Sequence, residues 1–287
     1  MRVSVVAVMA IFGTWGVACL TLASGRGVAG ASPSAAAEAA RSEPSNEQPV
    51  TPVLVELFTS EGCSDCPPAD RLLARLEQTQ PVPGAQIIAL EQHVDYWNRL
   101  GWTDPFSSAQ FSDRQAGYVR SLHADSAYTP QMIVDGVTQF VGSGEREALA
   151  AIAKAARTPK ARVALEQSDE TRAEPGRAPL LVRVGPLAGT GGEGADVFLA
   201  ITEDGLASNV TRGENSGAQL SHRAVVRSLQ ILGQVRPGGS FSAAPDLRLA
   251  RNWKREKLRA VVFVQASASR RIFGAAAVSL FASNSRP

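Results

Sequence analysis

The chain has 287 residues, a formal net charge of +2 and 44% hydrophobic residues. Without its N-terminal segment, a chain of this size is long enough to form two domains of ordinary size, each with its own buried core. Lysine and arginine are scattered and aromatic residues make up only 6%, so no basic stripe interleaves with aromatics as a nucleic-acid-binding surface requires. We therefore predict no nucleic-acid partner.

The N-terminus has the pattern of a targeting segment. Arg2 is followed by an uncharged, mainly apolar stretch that runs to Ala23 and leads into small residues. This pattern predicts a secretory signal peptide over 1–31 and a mature chain that is periplasmic or secreted. Two alternatives stay open: an uncleaved membrane anchor, since about twenty apolar residues span a bilayer, and lipidation at Cys19. A membrane partner is expected only in those two cases.

Beyond this segment, the sequence divides by composition and periodicity. Residues 32–52 are rich in alanine, serine, proline and glutamate, which predicts a flexible linker. From Val53 to about Arg157, apolar runs alternate with amphipathic segments, as in parallel sheets with crossover helices. Strands are predicted at 53–58, 86–91, 131–135 and 138–141, and helices at 69–78, at 111–122 with Ser112 as N-cap, and at 145–156.

After Thr158 the pattern changes to short apolar or alternating runs separated by turn-rich stretches. Regularly spaced strands without helices between them are typical of a β-sandwich, so we predict an all-β, sandwich-like domain over 161–285. Its strands are predicted at 161–167, 179–184, 196–202, 222–230, 259–266 and 271–280.

Two cysteines, Cys63 and Cys66, lie between the predicted strand 53–58 and the start of a helix near Pro67. The N-terminus of a helix stabilises a thiolate and lowers its pKa, so this placement suits redox chemistry with Cys63 as the nucleophile. With Cys19 removed alongside the signal peptide, the pair would be the only cysteines of the mature chain. A multi-disulfide scaffold is thereby excluded.

Other roles for the cysteine pair stay open. A structural zinc site needs four ligands at short spacing, whereas His93, His123 and His222 are single and far apart in the sequence, so we predict no metal site and no cofactor. In one alternative the dithiol and His93 bind copper(I), because soft thiolates select that ion. In another the disulfide is permanently closed in a non-redox binding module.

Thr129 and Pro130 open a further apolar strand that ends at a glycine turn, a position where proline is tolerated. The order of strand, Cys-x-x-Cys at a helix start, helix, strand and Thr-Pro before a strand resembles the thioredoxin fold. That resemblance implies an α/β thioredoxin-like domain over 53–157 with a cis Thr129–Pro130 bond. It also implies an attacking role for Cys63, a resolving role for Cys66, and substrate docking at Thr129 and Pro130.

Longer phrases are similar to one particular family. The segment from Leu57 to Asp70 and the phrase from His93 to Trp97 resemble a secreted bacterial thioredoxin-like family, catalogued as domain of unknown function 1223. The resemblance spans about 53–285 and implies no established biochemical role. The phrase from Arg212 to Arg227 matches the same family; we assign no chemistry to it and predict that its His222 satisfies a local hydrogen bond.

Further candidate site residues flank the dithiol in the predicted topology. Glu56 lies near where thioredoxins bury an acid that helps to deprotonate the resolving thiol, so it is a candidate for proton transfer, although a solvent-facing carboxylate fits equally well. His93, Tyr96 and Trp97 follow a parallel strand and should emerge at the sheet edge where ligands bind. We predict that they line a substrate groove and that His93 moves protons for the thiols; a satellite core is the alternative for the tryptophan.

Together these patterns predict an exported thiol–disulfide oxidoreductase. Cys63 would attack a substrate disulfide, and Cys66 would resolve the mixed disulfide. The expected partners are a protein or small-molecule disulfide or thiol and a redox partner that the sequence does not identify.

Overall fold

The computed structural model describes residues 50–167 and 177–281. The predicted signal peptide over 1–31, Cys19 and most of the predicted linker over 32–52 lie outside these residues. Across the described part of the chain, no helix combines the length and the apolar character needed to cross a membrane.

Fourteen strands and three α-helices form within the described ranges. In chain order they are β1 (Thr51–Thr59), α1 (Cys66–Thr79), β2 (Ala85–His93), α2 (Ala109–Ser121), β3 (Gln131–Val134), β4 (Thr138–Val141), α3 (Glu145–Ala155), β5 (Val163–Gln167), β6 (Arg177–Val184), β7 (Ala195–Glu203), β8 (Leu206–Asn209), β9 (Gln219–His222), β10 (Val225–Val235), β11 (Phe241–Ala243), β12 (Asp246–Arg248), β13 (Leu258–Ala266) and β14 (Ile272–Ser279). The four strands and three helices predicted before Pro159 are confirmed with small shifts of their ends.

The main sheet has eight strands in the order β14-β13-β7-β10-β2-β1-β3-β4. β1 pairs in parallel with β2 and antiparallel with β3. β10 joins the outer side of β2 in parallel, with Val225 opposite Glu91, and the amide of Glu91 donates to the carbonyl of Ala224 at 2.9 Å. Strands from before and after Pro159 therefore share one mixed sheet.

The predicted fold class, an α/β thioredoxin-like domain followed by an all-β sandwich-like domain, is wrong. The described chain is mainly β, and β7, β10, β13 and β14 extend the sheet from β2 instead of forming a separate sandwich. The physical reason is that an edge strand presents unpaired N–H and C=O groups, which a further strand satisfies. Hydrophobic periodicity indicates which side chains are buried, but it does not indicate which sheet a strand joins.

The two faces of the main sheet bury different helices. Side chains alternate along β1, so Val53, Val55 and Leu57 pack with α1 and α3, whereas Leu54 packs with Phe111 of α2 and with the C-terminal strands. A smaller sheet of β5, β6, β11 and β12 encloses a further core with β7 and β13. The carboxyl ends of the central strands β1 and β2 lie side by side at one end of the sheet, and the cysteine pair follows β1 there.

Local signals misplaced one helix cap and missed short strands. Helix α2 begins at Ala109, and the Ser108 hydroxyl, not that of Ser112, accepts the amide N–H of Gln110 at 3.2 Å. Ser112 instead donates to the carboxylate of Asp95 at 2.5 Å. Strands β8, β9, β11 and β12 have three or four residues each and carry too little alternation to be predicted.

Candidate functional site

The cysteine pair forms a disulfide at the junction of β1 and α1. The amide of Cys63 donates to the carbonyl of Ser60, and the amide of Cys66 donates to the carbonyl of Cys63, both at 3.2 Å. These turns place Cys66 as the first residue of α1, and two prolines follow in the first helical turn, where backbone N–H groups have no partner in the helix. Cys63 therefore lies one turn before the helix and Cys66 at its N-terminus.

Both cysteines are buried, with 2% of Cys63 and none of Cys66 exposed. The connection between β8 and β9, residues 210–218, which we call the β8–β9 loop, packs against them. Its Asn215 side-chain amide donates to the carbonyl oxygens of Glu61 and Cys63 at 2.8 and 2.9 Å. Hydrogen bonds from a distant part of the sequence therefore attach the β8–β9 loop to the backbone around Cys63.

A second contact of the same loop involves Glu214. Its carboxylate accepts from the backbone amide of Ser64 at 3.0 Å and from the Ser64 hydroxyl at 2.9 Å. These bonds lower the pKa of the exposed Glu214 carboxyl. The loop is thus attached to the dithiol by polar contacts of two neighbouring residues.

The predicted docking residues approach the dithiol loop, residues 60–65 between β1 and α1, through Trp97. The Thr129–Pro130 peptide bond is cis, as predicted. The indole N–H of Trp97 donates to the Thr129 hydroxyl at 2.8 Å, and a Cβ atom on Gly62 would lie only 3.1 Å from the Cβ of Trp97. Trp97 therefore fills the space between Gly62 and Thr129, and a larger side chain at position 62 would displace it.

Tyr96 and Trp97 also belong to a small apolar cluster around Phe58 and Tyr118. The Tyr96 hydroxyl donates to the Gln115 side chain at 3.2 Å, and partial burial raises the pKa of this phenol. Both rings are half-buried. One part of each ring packs in the cluster, and the rest is open to solvent near the dithiol loop.

Glu56 lies on the face of β1 that is opposite to α1. Its carboxylate accepts from Arg114 Nε at 2.7 Å, from Gln92 Nε2 at 2.8 Å and from the Tyr118 hydroxyl. These partners belong to the α2 side of the sheet, whereas Cys66 opens α1 on the other side. The structure does not bring Glu56 together with Cys66.

Instead, a group of buried ionisable residues surrounds the end of β2, on the α1 side. We call it the acid–histidine cluster. Its members are Glu61, Asp70, Glu91, His93, Asp104 and His222, none of them more than 6% exposed. The cluster adjoins the dithiol loop, because Glu61 precedes Cys63 by two residues.

The two histidines are in contact, with ring centroids 4.7 Å apart. His222 Nδ1 lies 2.7 Å from Glu91 Oε1, and His222 Nε2 lies 3.1 Å from Glu61 Oε1. His93 Nδ1 lies 2.7 Å from an oxygen of Asp104. The sequence placed His93 and His222 far apart; pairing of β10 with β2 brings them together.

Burial and neighbouring charge shift the pKa values in this cluster. Burial, reinforced by Glu91, raises the pKa of Asp70 to about 7. Burial opposes protonation of both imidazoles, but Asp104 raises the pKa of His93 to about 9, and Glu91 and Glu61 raise that of His222 to about 11. Burial opposes ionisation of Glu91 as well, but His222 lowers its pKa to about 2.

Sequence reasoning missed Glu61, Asp70, Glu91 and Asp104 and gave His222 only a local role. A signal was present in β2, where Glu91 and His93 follow Ala85, Ile87 and Ala89 at the alternating positions that face α1. Polar residues on the buried face of a strand indicate partners elsewhere in the fold. The partner on β9 could not be identified without the topology.

Fold and site together define a mixed-sheet protein with a Cys-x-x-Cys disulfide at a helix start, beside a buried acid–histidine cluster. Residues 54–265 match the family described as "Protein of unknown function (DUF1223)", and the chain belongs to that family.

The fold is similar to that of protein AGR_C_4864 from Agrobacterium tumefaciens, known from a crystal structure. The two share 28% identity over 84% of this chain and 99% of that chain, with a TM-score of 0.65. A second solved structure, of target SoR45, has 13% identity over 42% of this chain and 84% of that one, with a TM-score of 0.19, which is too low to bear on the fold. No curated protein matches the chain.

Proposed function

We propose that the protein is a thiol–disulfide oxidoreductase that works through Cys63 and Cys66 outside the cytoplasm. The observation that carries the proposal is the closed Cys-x-x-Cys disulfide with Cys66 at the first residue of a helix. The predicted signal peptide supports the location, since disulfides persist in oxidising compartments.

The position of α1 supports different roles for the two sulfurs. A substrate thiolate attacks Cys63 Sγ, the Cys63–Cys66 bond breaks, and Cys66 leaves as a thiolate that the helix N-terminus stabilises. A second substrate thiolate attacks the substrate sulfur of the mixed disulfide and releases Cys63. The substrate loses two electrons as its disulfide forms, and the cysteine pair gains them with two protons from the substrate thiols. In the reverse direction Cys63 attacks a substrate disulfide and Cys66 resolves the intermediate.

We infer that the β8–β9 loop controls access to Cys63, because Cys63 is buried and the loop is hydrogen-bonded to its carbonyl. Loss of the Asn215 contacts leaves the Glu61 carbonyl, and one acceptor position of the Cys63 carbonyl that also accepts from Cys66, open to the N–H groups of an extended polypeptide. This favours a protein substrate over a small molecule. Thr129, Pro130 and Trp97 would hold the polypeptide on the other side of the dithiol.

Replacement of Asn215 by alanine is expected to accelerate reduction of the disulfide. The change removes two hydrogen bonds that close the loop, each worth about 0.5–1.5 kcal/mol net, so the open state should gain roughly 5- to 150-fold in population. The measurement is the rate of reduction by excess dithiothreitol.

Ser216→Ala is the matched control, because the Ser216 hydroxyl bonds only to the Thr211 carbonyl within the same loop among the contacts described. Its rate should equal that of the wild type. Equal rates for Asn215→Ala and Ser216→Ala would show that the loop does not control access.

The reduction potential of the Cys63–Cys66 couple tests the proposed function directly. An exchange-active pair is expected above about −300 mV, whereas structural disulfides lie below that value. Equilibration in glutathione buffers, followed by alkylation and mass spectrometry, gives the potential. A lower value without measurable exchange would favour the closed structural disulfide instead.

A further inference from the structure

We propose that Glu91, His93 and His222 bind a divalent transition-metal ion of the zinc type. One ligand atom from each residue lies within 4.8 Å of the other two, and all three side chains are buried. The site is separate from the cysteine sulfurs, and the proposal does not depend on the redox function.

The unpartnered nitrogen of His93 points to a ligand. His93 is fully buried, and its Nε2 atom makes no hydrogen bond. The nearest ionic partner is Glu91 Oε1 at 3.3 Å, a contact without hydrogen-bond geometry. Nearly all buried polar side-chain atoms in proteins have a partner, and an ion bound between His93 and Glu91 would supply one here.

The opposite nitrogen of each histidine is already held by a carboxylate. His93 Nδ1 lies 2.7 Å from Asp104, and His222 Nε2 lies 3.1 Å from Glu61. Histidines that ligate metals generally donate their other N–H to a carboxylate, which sets the tautomer and the ring orientation. Both imidazoles are thus oriented with the remaining nitrogen toward Glu91.

These carboxylates are themselves fixed. Asp104 accepts the backbone amide of Glu61 at 2.8 Å, and the indole of Trp102 donates to Glu61 Oε2 at 2.8 Å. The supporting groups are therefore anchored to backbone and indole donors, as a preorganised metal site requires.

The donor set selects the class of ion. Two imidazoles and one carboxylate form a known zinc ligand set. Asp70 Oδ2 lies 4.0 Å from His222 Nδ1 and could serve as a fourth ligand. Calcium and magnesium prefer oxygen ligands alone, and copper(I) prefers thiolates, which this set lacks. Metal binding would displace the protons from His93 Nε2 and His222 Nδ1.

The test uses Zn²⁺ alone as the probe on full mature protein first treated with a chelator. We expect one bound Zn²⁺ per chain after dialysis, and a melting temperature that rises with Zn²⁺ concentration because only the folded state binds the ion. Cobalt(II) should give the visible absorption of a nitrogen- and oxygen-ligated ion without a thiolate charge-transfer band. These measurements need no substitution.

Variants locate the site. His222→Gln and Glu91→Gln should weaken binding by more than about a hundredfold, the upper end of the loss for supporting residues. His123→Asn, at an exposed histidine in the loop after α2, and the Cys63→Ser/Cys66→Ser double variant should bind as the wild type does. Circular dichroism checks that each variant is folded.

Three results would overturn the proposal. They are no stoichiometric Zn²⁺ binding by the wild type, unchanged binding by folded His222→Gln, and loss of binding in the cysteine double variant, which would place the ion on the sulfurs. The first is decisive even where a substitution at a buried residue prevents folding. None of these outcomes bears on the reduction potential of the cysteine pair, so failure here is distinguishable from failure of the proposed function.

Discussion

Cys63→Ser is expected to abolish thiol–disulfide exchange, whereas Cys66→Ser is expected to accumulate mixed disulfides with substrate. Of the two cysteines, only Cys63 is exposed to solvent, at 2%. Its carbonyl accepts from the Asn215 side chain, a contact that a substrate would have to displace. Cys66 is fully buried at the helix N-terminus and suits the role of leaving and resolving thiol. Removal of the attacking sulfur prevents the first step, and removal of the resolving sulfur prevents only the second.

Two measurements check this difference. Alkylation of the reduced protein across pH identifies the faster thiol, and non-reducing electrophoresis with mass spectrometry detects the trapped intermediates. The double variant Cys63→Ser/Cys66→Ser controls for adducts at other residues. If Cys66 alkylates faster, or if both single variants retain full exchange, the assignment of roles is wrong.

Arg114→Leu is expected to destabilise the fold by about 3–5 kcal/mol, the cost of leaving one charge of a buried ion pair without its partner. Arg114 and Glu56 are both buried, and Arg114 Nε lies 2.7 Å from Glu56 Oε1. The same guanidinium donates to Gln265 at 2.9 Å and to Tyr118 at 3.1 Å. One side chain thus connects β1, α2 and β13, so its loss weakens the contact between the two halves of the main sheet.

Urea denaturation gives the free energy of unfolding for this variant and for two controls. Arg75→Leu removes a pair with Glu145 at 2.8 Å in which both side chains are more than half exposed, and it should cost no more than about 1 kcal/mol. The double variant Arg114→Leu/Glu56→Leu should recover much of the loss, because no unpaired charge remains. A cost for Arg114→Leu no larger than that of Arg75→Leu would contradict the prediction.

The sequence reveals the cysteine pair behind the first prediction, but it does not reveal the buried Arg114–Glu56 ion pair behind the second. The cysteine pair follows from a motif of a few adjacent residues, and the cis Thr129–Pro130 bond is what the resemblance to the thioredoxin fold implies. The sequence does not reveal that Glu56 and α1 lie on opposite faces of β1. Alternation of side chains separates the two faces of a strand without indicating which helix covers each face. The burial of Arg114 cannot be predicted from the sequence of α2 either, because it depends on which strands pack against that helix.

By itself, the sequence determined the helices, the longer strands and the position of the dithiol before a helix, because these depend on local spacing and on the periodicity of apolar residues. The resemblance of its longer phrases indicated the family. Only the tertiary structure decided that β10 pairs with β2, and this pairing merged the predicted domains into one sheet. It also brought His222 to Glu91 and the β8–β9 loop to Cys63. Contacts between residues more than a hundred positions apart depend on which sheet edge remains open and which buried charges need partners, and local patterning carries neither.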